Sequence, residues 1–149
     1  MNRTIIPQTV INDSEPILRI LFCPSMVVNG CVSPTAFELD DLERGPETYV
    51  SLFLLSIFQP TKENCINFHA RKVGDTLYGY ATSVINKCKD IAYENISLFF
   101  KKHDKTTAGH IGMHYANGNK AIKGKCADPS FIIMTKLIAR QFKVIQFHP

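Results

Sequence analysis

The 149-residue chain lacks the signatures that would name a chemistry outright. It contains no G-x-x-x-x-G-K-[ST], G-x-G-x-x-G, G-x-S-x-G or H-E-x-x-H. Those absences set aside a phosphate-cradling loop, a dinucleotide fingerprint, a nucleophile elbow and a zinc-protease helix. Two separated His-x-Ser or His-x-Thr pairs are also missing, so the sequence does not point to a two-histidine phosphoesterase. No internal repeat of useful period is present, which removes solenoids and propellers.

Long apolar runs are scarce. The longest, Val50 to Phe58, includes Ser51 and Ser56 and is about half of the ~20 residues that a membrane-spanning helix requires. The first eleven residues carry Arg3 but no apolar run of signal-peptide length, and the polar Gln8, Asn12 and Asp13 interrupt them. A cytoplasmic protein without a membrane segment is expected. Cysteine is present in odd number, as Cys23, Cys31, Cys65, Cys88 and Cys126, with no C-x-x-C spacing. That usage suggests a reducing compartment, buried or half-buried thiols and no identifiable catalytic cysteine.

What is present describes an ordinary globular chain. The 45% hydrophobic fraction excludes wholesale disorder, and a chain of this length buries roughly 68–70% of its unfolded surface without staples. Residues 1–149 are expected to form a single α+β domain, with a mostly antiparallel or mixed sheet and about three helices on one face. Charge is distributed unevenly. Residues 1–68 hold four basic against eight acidic side chains, and residues 69–149 hold thirteen basic against five acidic. A surface that attracts anions follows if the halves stay apart in space; if they interleave, the field averages out.

In chain order, β-prone runs over 4–6 and 9–11 flank Pro7, and Ile17 to Phe22 reads as a strand or short helix apolar but for Arg19. An arginine there is a snorkelling edge residue or a buried charge with a purpose, and the rarity of buried arginine favours the edge. Val27 to Val32 carries Asn29-Gly30, a hairpin pair. The acidic stretch Glu38, Asp40, Asp41 and Glu43 has no cation-loop spacing and reads as a solvated, ordered loop. Val50 to Phe58 is expected to be a central strand. Helices are expected near 61–70, burying Cys65, Ile66 and Phe68, near 83–93 from the spacing of Val84, Ile85, Cys88, Ile91 and Ala92, and near 129–142, where Asp128-Pro129 is a cap followed by a first-turn proline. Tyr78 and Tyr80 share a strand face that packs on a core or stacks bases.

Leu18-Arg19, Pro24, Asn29-Gly30, Val32-Ser33 and Ala36-Phe37 together resemble the opening of a set of small bacterial proteins with no established activity. In that set an arginine-bearing strand is followed by a glycine turn, a Val-Ser or Ile-Ser pair and an Ala-Phe pair. The resemblance covers the first third of the chain and implies a bacterial, cytosolic origin.

Gly109 to Lys125 is the stretch where local rules reach furthest. With Asn117-Gly118 as a two-residue loop, His114 faces Ala121, Gly112 faces Lys123 and His110 faces Lys125. Ile111, Met113, Tyr115 and Ile122 then line one side, and His110, Gly112, His114, Lys123 and Lys125 the other. That second side is a solvated strand face, an anion or phosphate site around the glycine gap, or a two-histidine metal site. No Cys, Asp or Glu in the hairpin completes a metal shell and two lysines repel a cation, so no metal or cofactor is assigned. Lys101, Lys102 and Lys105 enlarge the cationic surface. The function expected is a binding or interaction module whose basic half contacts nucleic acid, a nucleotide or an acidic protein. The alternatives are a small enzyme acting through His110 or His114 on a phosphate-containing or similarly anionic substrate, and a subunit of a larger bacterial assembly.

Overall fold

The computed structural model describes residues 11–68 and 77–147. The N-terminal β-prone runs up to residue 10, the Gly74-Asp75 turn and the final His148-Pro149 lie outside the described residues. The strands are β1 (Pro16–Leu21), β2 (Val27–Val28), β3 (Cys31–Val32), β4 (Asp41–Leu42), β5 (Gly45–Pro46), β6 (Val50–Leu54), β7 (Gly79–Val84), β8 (Ala92–Tyr93), β9 (Ile96–Lys102), β10 (His110–Asn117), β11 (Lys120–Ala121) and β12 (Lys143–Gln146). The helices are α1 (Lys62–Phe68), α2 (Ile85–Cys88) and α3 (Pro129–Ala139), with 3-10 turns at Pro24–Met26 and Pro34–Phe37.

One eight-stranded sheet runs β12-β7-β1-β6-β10-β9-β8, with β11 also on β10, and its pairings are all antiparallel. The hairpins β2-β3 and β4-β5 stand apart from it. The α+β domain, the mostly antiparallel sheet and three helices match the expectation. The helices do not share one face as expected but divide between the two: Phe131 of α3 packs edge-on to Tyr115, and Phe68 of α1 packs on Phe53 and His110. His110 and Tyr115 lie on opposite sides of β10 because strand side chains alternate. A buried layer is therefore built on both faces, and His110 through Tyr115 are all buried.

Local chemistry explains most elements. Asp128 Oδ1 accepts from the Ser130 N–H at 2.9 Å and starts α3 as its sequence demands. Asn29 and Gly30 both hold positive φ, 54° and 78°, which is the conformation of a type I′ turn. The helix expected over 83–93 shrinks to α2. Ser83 and Val84 extend β7, and Ala92–Tyr93 folds back on Ser97 and Ile96 through a tight turn in which Glu94 takes a left-handed φ of 54°. The β-ladder on either side takes backbone groups that the helix would have used. In α1, Cys65 is buried and Ile66 is exposed, contrary to its expected burial.

Arg19 corrects another expectation. β1 is a central strand, and Arg19 is only 7% exposed rather than snorkelling at an edge. β1 pairs with β7 along all six residues but with β6 only through Ile17 and Leu18. Beyond Leu18 the β1 and β6 ladders part, and the Arg19 side chain enters the opening.

Candidate functional site

The register at residues 109–125 differs from the one Asn117-Gly118 suggests. Asn117 pairs with Lys120 and Ala116 with Ala121, so the loop is Gly118-Asn119, and of the two only Gly118 has positive φ, at 60°. That is the demand of a type II′ turn. The shift is by two residues and preserves the side of every β10 residue. The return strand, however, ends at Ala121, because β6 occupies the same edge of β10 from His110 to Met113. Lys123 and Lys125 therefore leave the sheet, and Gly124 N–H bonds the Glu47 carbonyl at 2.8 Å while Lys125 N–H bonds Asp41 Oδ1 at 3.2 Å. Neither lysine faces His110 or His114 across the hairpin. Nor is the histidine side open: His110 and His114 are 7% and 9% exposed.

The glycine gap is filled from within the chain. A side-chain carbon at Gly112 would lie 2.6 Å from His103 Cδ2 and 2.8 Å from Tyr49 Cδ2, so glycine is what admits both rings. Tyr49 stacks on His103 with centroids 4.1 Å apart. His103 meets His114 at 3.1 Å between their Nε2 atoms. One of these nitrogens carries the shared proton and the other accepts it, which gives the two rings opposite roles. Phe99 stacks on the far side of His114, with Lys101 Nζ 5.4 Å from the Phe99 centroid. Burial lowers the pKa of His114 to about 4, helped by His103 and Lys101. Burial likewise lowers His110 and His103. At neutral pH the three imidazoles are uncharged, so the cluster is a hydrogen-bonded aromatic layer and not the cationic face expected of His110 and His114.

His110 joins this layer to a cavity. Its Nδ1 lies 3.1 Å from the His103 carbonyl oxygen and its Nε2 lies 3.1 Å from Ser51 Oγ. A carbonyl only accepts, so Nδ1 carries the proton, and Nε2 accepts from the Ser51 hydroxyl. Ser51, His110, Tyr49 and Arg19 line a cavity of about 420 Å³, together with Phe22, Glu38, Arg44, Glu47, Thr48 and Thr106 among others. That size is within the ~300–1,000 Å³ of small-ligand pockets.

Arg19 sets the electrostatics. Its Nε donates to the Ala36 carbonyl at 2.8 Å and one terminal nitrogen to the Ser51 carbonyl at 3.2 Å. No carboxylate among the described residues forms a salt bridge with it. Burial lowers its pKa to about 10, and Glu47, Tyr115 and Asp40 partly offset this. A guanidinium has five N–H donors, and these two bonds leave three without a hydrogen-bond acceptor among the described residues, the group lying 5.3 Å from the centroid of the Phe22 ring. Buried charges ordinarily find partners.

Of the residues expected to bind anions, the structure brings His110, His114 and Lys101 to one side of the sheet, since Lys101 sits opposite Gly112. Lys102, opposite Ile111, is exposed at the end of β9, and Lys105 is exposed in the following turn. Arg19, Ser51, Tyr49 and His103 complete the arrangement. In the sequence Ser51 is only a polar interruption of an apolar run, and nothing singles out Tyr49. No group of three or more His, Cys, Asp or Glu among the described residues is arranged to hold a metal ion. Among those residues no helix is long and apolar enough to cross a membrane. Comparison with protein-family models, curated proteins and solved structures finds no match for the chain.

Proposed function

We propose that the protein binds a small organic monoanion in the cavity between β1 and β6, with Arg19 as its anchor. The observation that carries this reading is a buried guanidinium, 5.3 Å from the centroid of the Phe22 ring, with three N–H donors that have no hydrogen-bond acceptor among the described residues, on the wall of a cavity of about 420 Å³. A carboxylate accepts two parallel N–H bonds from such a fork. Glu38 and Glu47 also line the cavity and offset Arg19 and Arg44, so the lining carries no net positive charge to hold a dianion, and the carboxylates can accept from hydroxyl or amine groups on the remainder of the ligand. The test is titration of the ¹⁵N-labelled protein with acetate, lactate and inorganic phosphate while following the Arg19 Nε–H resonance. Saturable shifts with lactate or acetate are expected, and they vanish in Arg19→Met, whose fold is checked by circular dichroism. Shifts that persist in Arg19→Met, or none in the native protein, overturn the reading.

A second reading keeps the basic half as an interaction surface, at a different place from the lysines singled out in the sequence. A hollow of about 660 Å³ between the β2-β3 hairpin, the end of α3 and β12 is lined by Lys136, Arg140 and Lys143. An adjoining hollow of about 470 Å³ shares Arg140 and Lys143 and adds Lys87. No carboxylate lines either. This arrangement favours an anionic polymer, whose binding falls steeply with salt. A polyglutamate peptide and a single-stranded oligonucleotide distinguish acidic protein from nucleic acid. Arg140→Glu weakens whichever binds, and equal binding by that variant overturns this reading.

A further inference from the structure

We propose that Ser51 and His110 form a nucleophile-base pair that hydrolyses small esters carrying an anionic group, a step that rests on Arg19 as the anchor. Covalent catalysis by serine requires three things in line: a hydroxyl, a base within hydrogen-bond reach, and a group that holds the base in the correct tautomer. All three are present. Ser51 Oγ lies 3.1 Å from His110 Nε2, and the His103 carbonyl oxygen lies 3.1 Å from His110 Nδ1.

Backbone constraints produce this alignment. His103 N–H bonds the His110 carbonyl at 2.9 Å, while His110 N–H turns to the Thr107 carbonyl at 3.2 Å. The His103 carbonyl is thereby left to the His110 side chain, which fixes the proton on Nδ1 and leaves Nε2 as the base. Phe53 and Phe68 pack on the ring at 5.1 and 5.2 Å between centroids and hold its plane. Ser51 sits on a central strand beside Gly112, so its position is set by the sheet and not by a loop. Both residues line the cavity that contains Arg19, and the Ser51 carbonyl is itself an Arg19 acceptor. On this proposal a substrate anchored by its carboxylate on Arg19 extends across the cavity to Ser51 Oγ.

The reaction is an acyl transfer. Ser51 Oγ attacks the ester carbonyl carbon as its proton passes to His110 Nε2. The C–O bond to the alcohol then breaks, and the alcohol leaves with that proton. Water attacks the acyl-serine, again giving a proton to His110, which returns it to Ser51 Oγ as the acid departs. The net change is ester plus water to acid plus alcohol. Acyl rather than phosphoryl transfer is favoured because Glu38 and Glu47 offset Arg19 and Arg44 in the cavity lining, which leaves no net positive charge for a doubly charged phosphate monoester.

The experiment uses two probes on the native protein and three variants. An uncharged alkyl fluorophosphonate, which needs no anion anchor, is expected to label Ser51, as located by peptide mass spectrometry. Labelling disappears in Ser51→Ala and falls at least about a hundredfold in rate in His110→Ala. The second probe compares hydrolysis of mono-p-nitrophenyl succinate with p-nitrophenyl acetate. A preference for the anionic ester is expected in the native protein, lost in Arg19→Met. Absence of label on Ser51, or labelling unchanged in His110→Ala, overturns the pair and leaves anion binding standing. Label at Ser51 with equal hydrolysis of both esters overturns the anion anchor and leaves the pair.

Discussion

The two sides of β10 are both buried and built from opposite materials. On one side Ile111, Met113 and Tyr115 are fully buried, and Tyr115 packs on Phe131 of α3 and donates its hydroxyl to the Phe37 carbonyl at 2.7 Å. On the other, His110 and His114 are buried with the His103 and Tyr49 rings laid over Gly112. The first side is stabilised by removal of apolar surface from water. The second consists of groups that prefer water, and it stays buried because each imidazole is neutral and hydrogen-bonded. An ordinary core holds the strand in place; a neutral polar layer on its back puts His110 on the wall of a cavity.

The comparison breaks most severely on the apolar side. Phe131→Ala leaves a void against Tyr115 and is expected to cost about 3–5 kcal/mol, read from urea unfolding, with the histidine signals keeping their native shifts wherever the protein remains folded. Loss of those signals in the folded variant would show that the two sides are not separable. Gly112→Ala strikes the other side. A methyl group there meets His103 and Tyr49, and the expected cost of roughly 1–3 kcal/mol is accompanied by loss of the His103–His114 hydrogen bond, seen in the imidazole nitrogen shifts. An unchanged His103–His114 signal would mean the rings do not depend on the glycine.

Acid sharpens the contrast with the smallest effect. The folded pKa of His114 is about 4 against an ordinary 6.5, so between those values the unfolded chain binds more protons than the folded one. Stability from this group is complete above about 6.5 and falls as pH drops toward 4. Replacing His114 with Gln is expected to flatten the stability-pH curve in that window relative to the native protein, while Tyr115→Phe leaves the slope unchanged. The same slope in His114→Gln and the native protein would show that His114 is not held neutral.

Much of this was legible in the residues. The hairpin at Asn29-Gly30, the cap at Asp128-Pro129 and the central strand at Val50 are local matters, decided by φ preferences, a side-chain acceptor and an unbroken apolar run. The sharing of one strand side by His110, Gly112 and His114 was legible too, since it depends only on period two. The length of the return strand was not: the edge of β10 that Lys123 and Lys125 would have used is taken by β6 from sixty residues upstream. The same pairing places Ser51 beside Gly112 and so within reach of His110.

By itself, then, the amino-acid order settled which residues alternate, turn and cap, because those depend on neighbours along the chain. It also presented Arg19 as an anomaly inside an apolar strand. Only the tertiary structure decided that Arg19 is buried where two ladders part, that the glycine gap holds two rings and not an anion, and that the histidines are neutral. Each of those outcomes is an effect of burial or long-range pairing, and the free energy of a charge or an imidazole depends on what surrounds it in space.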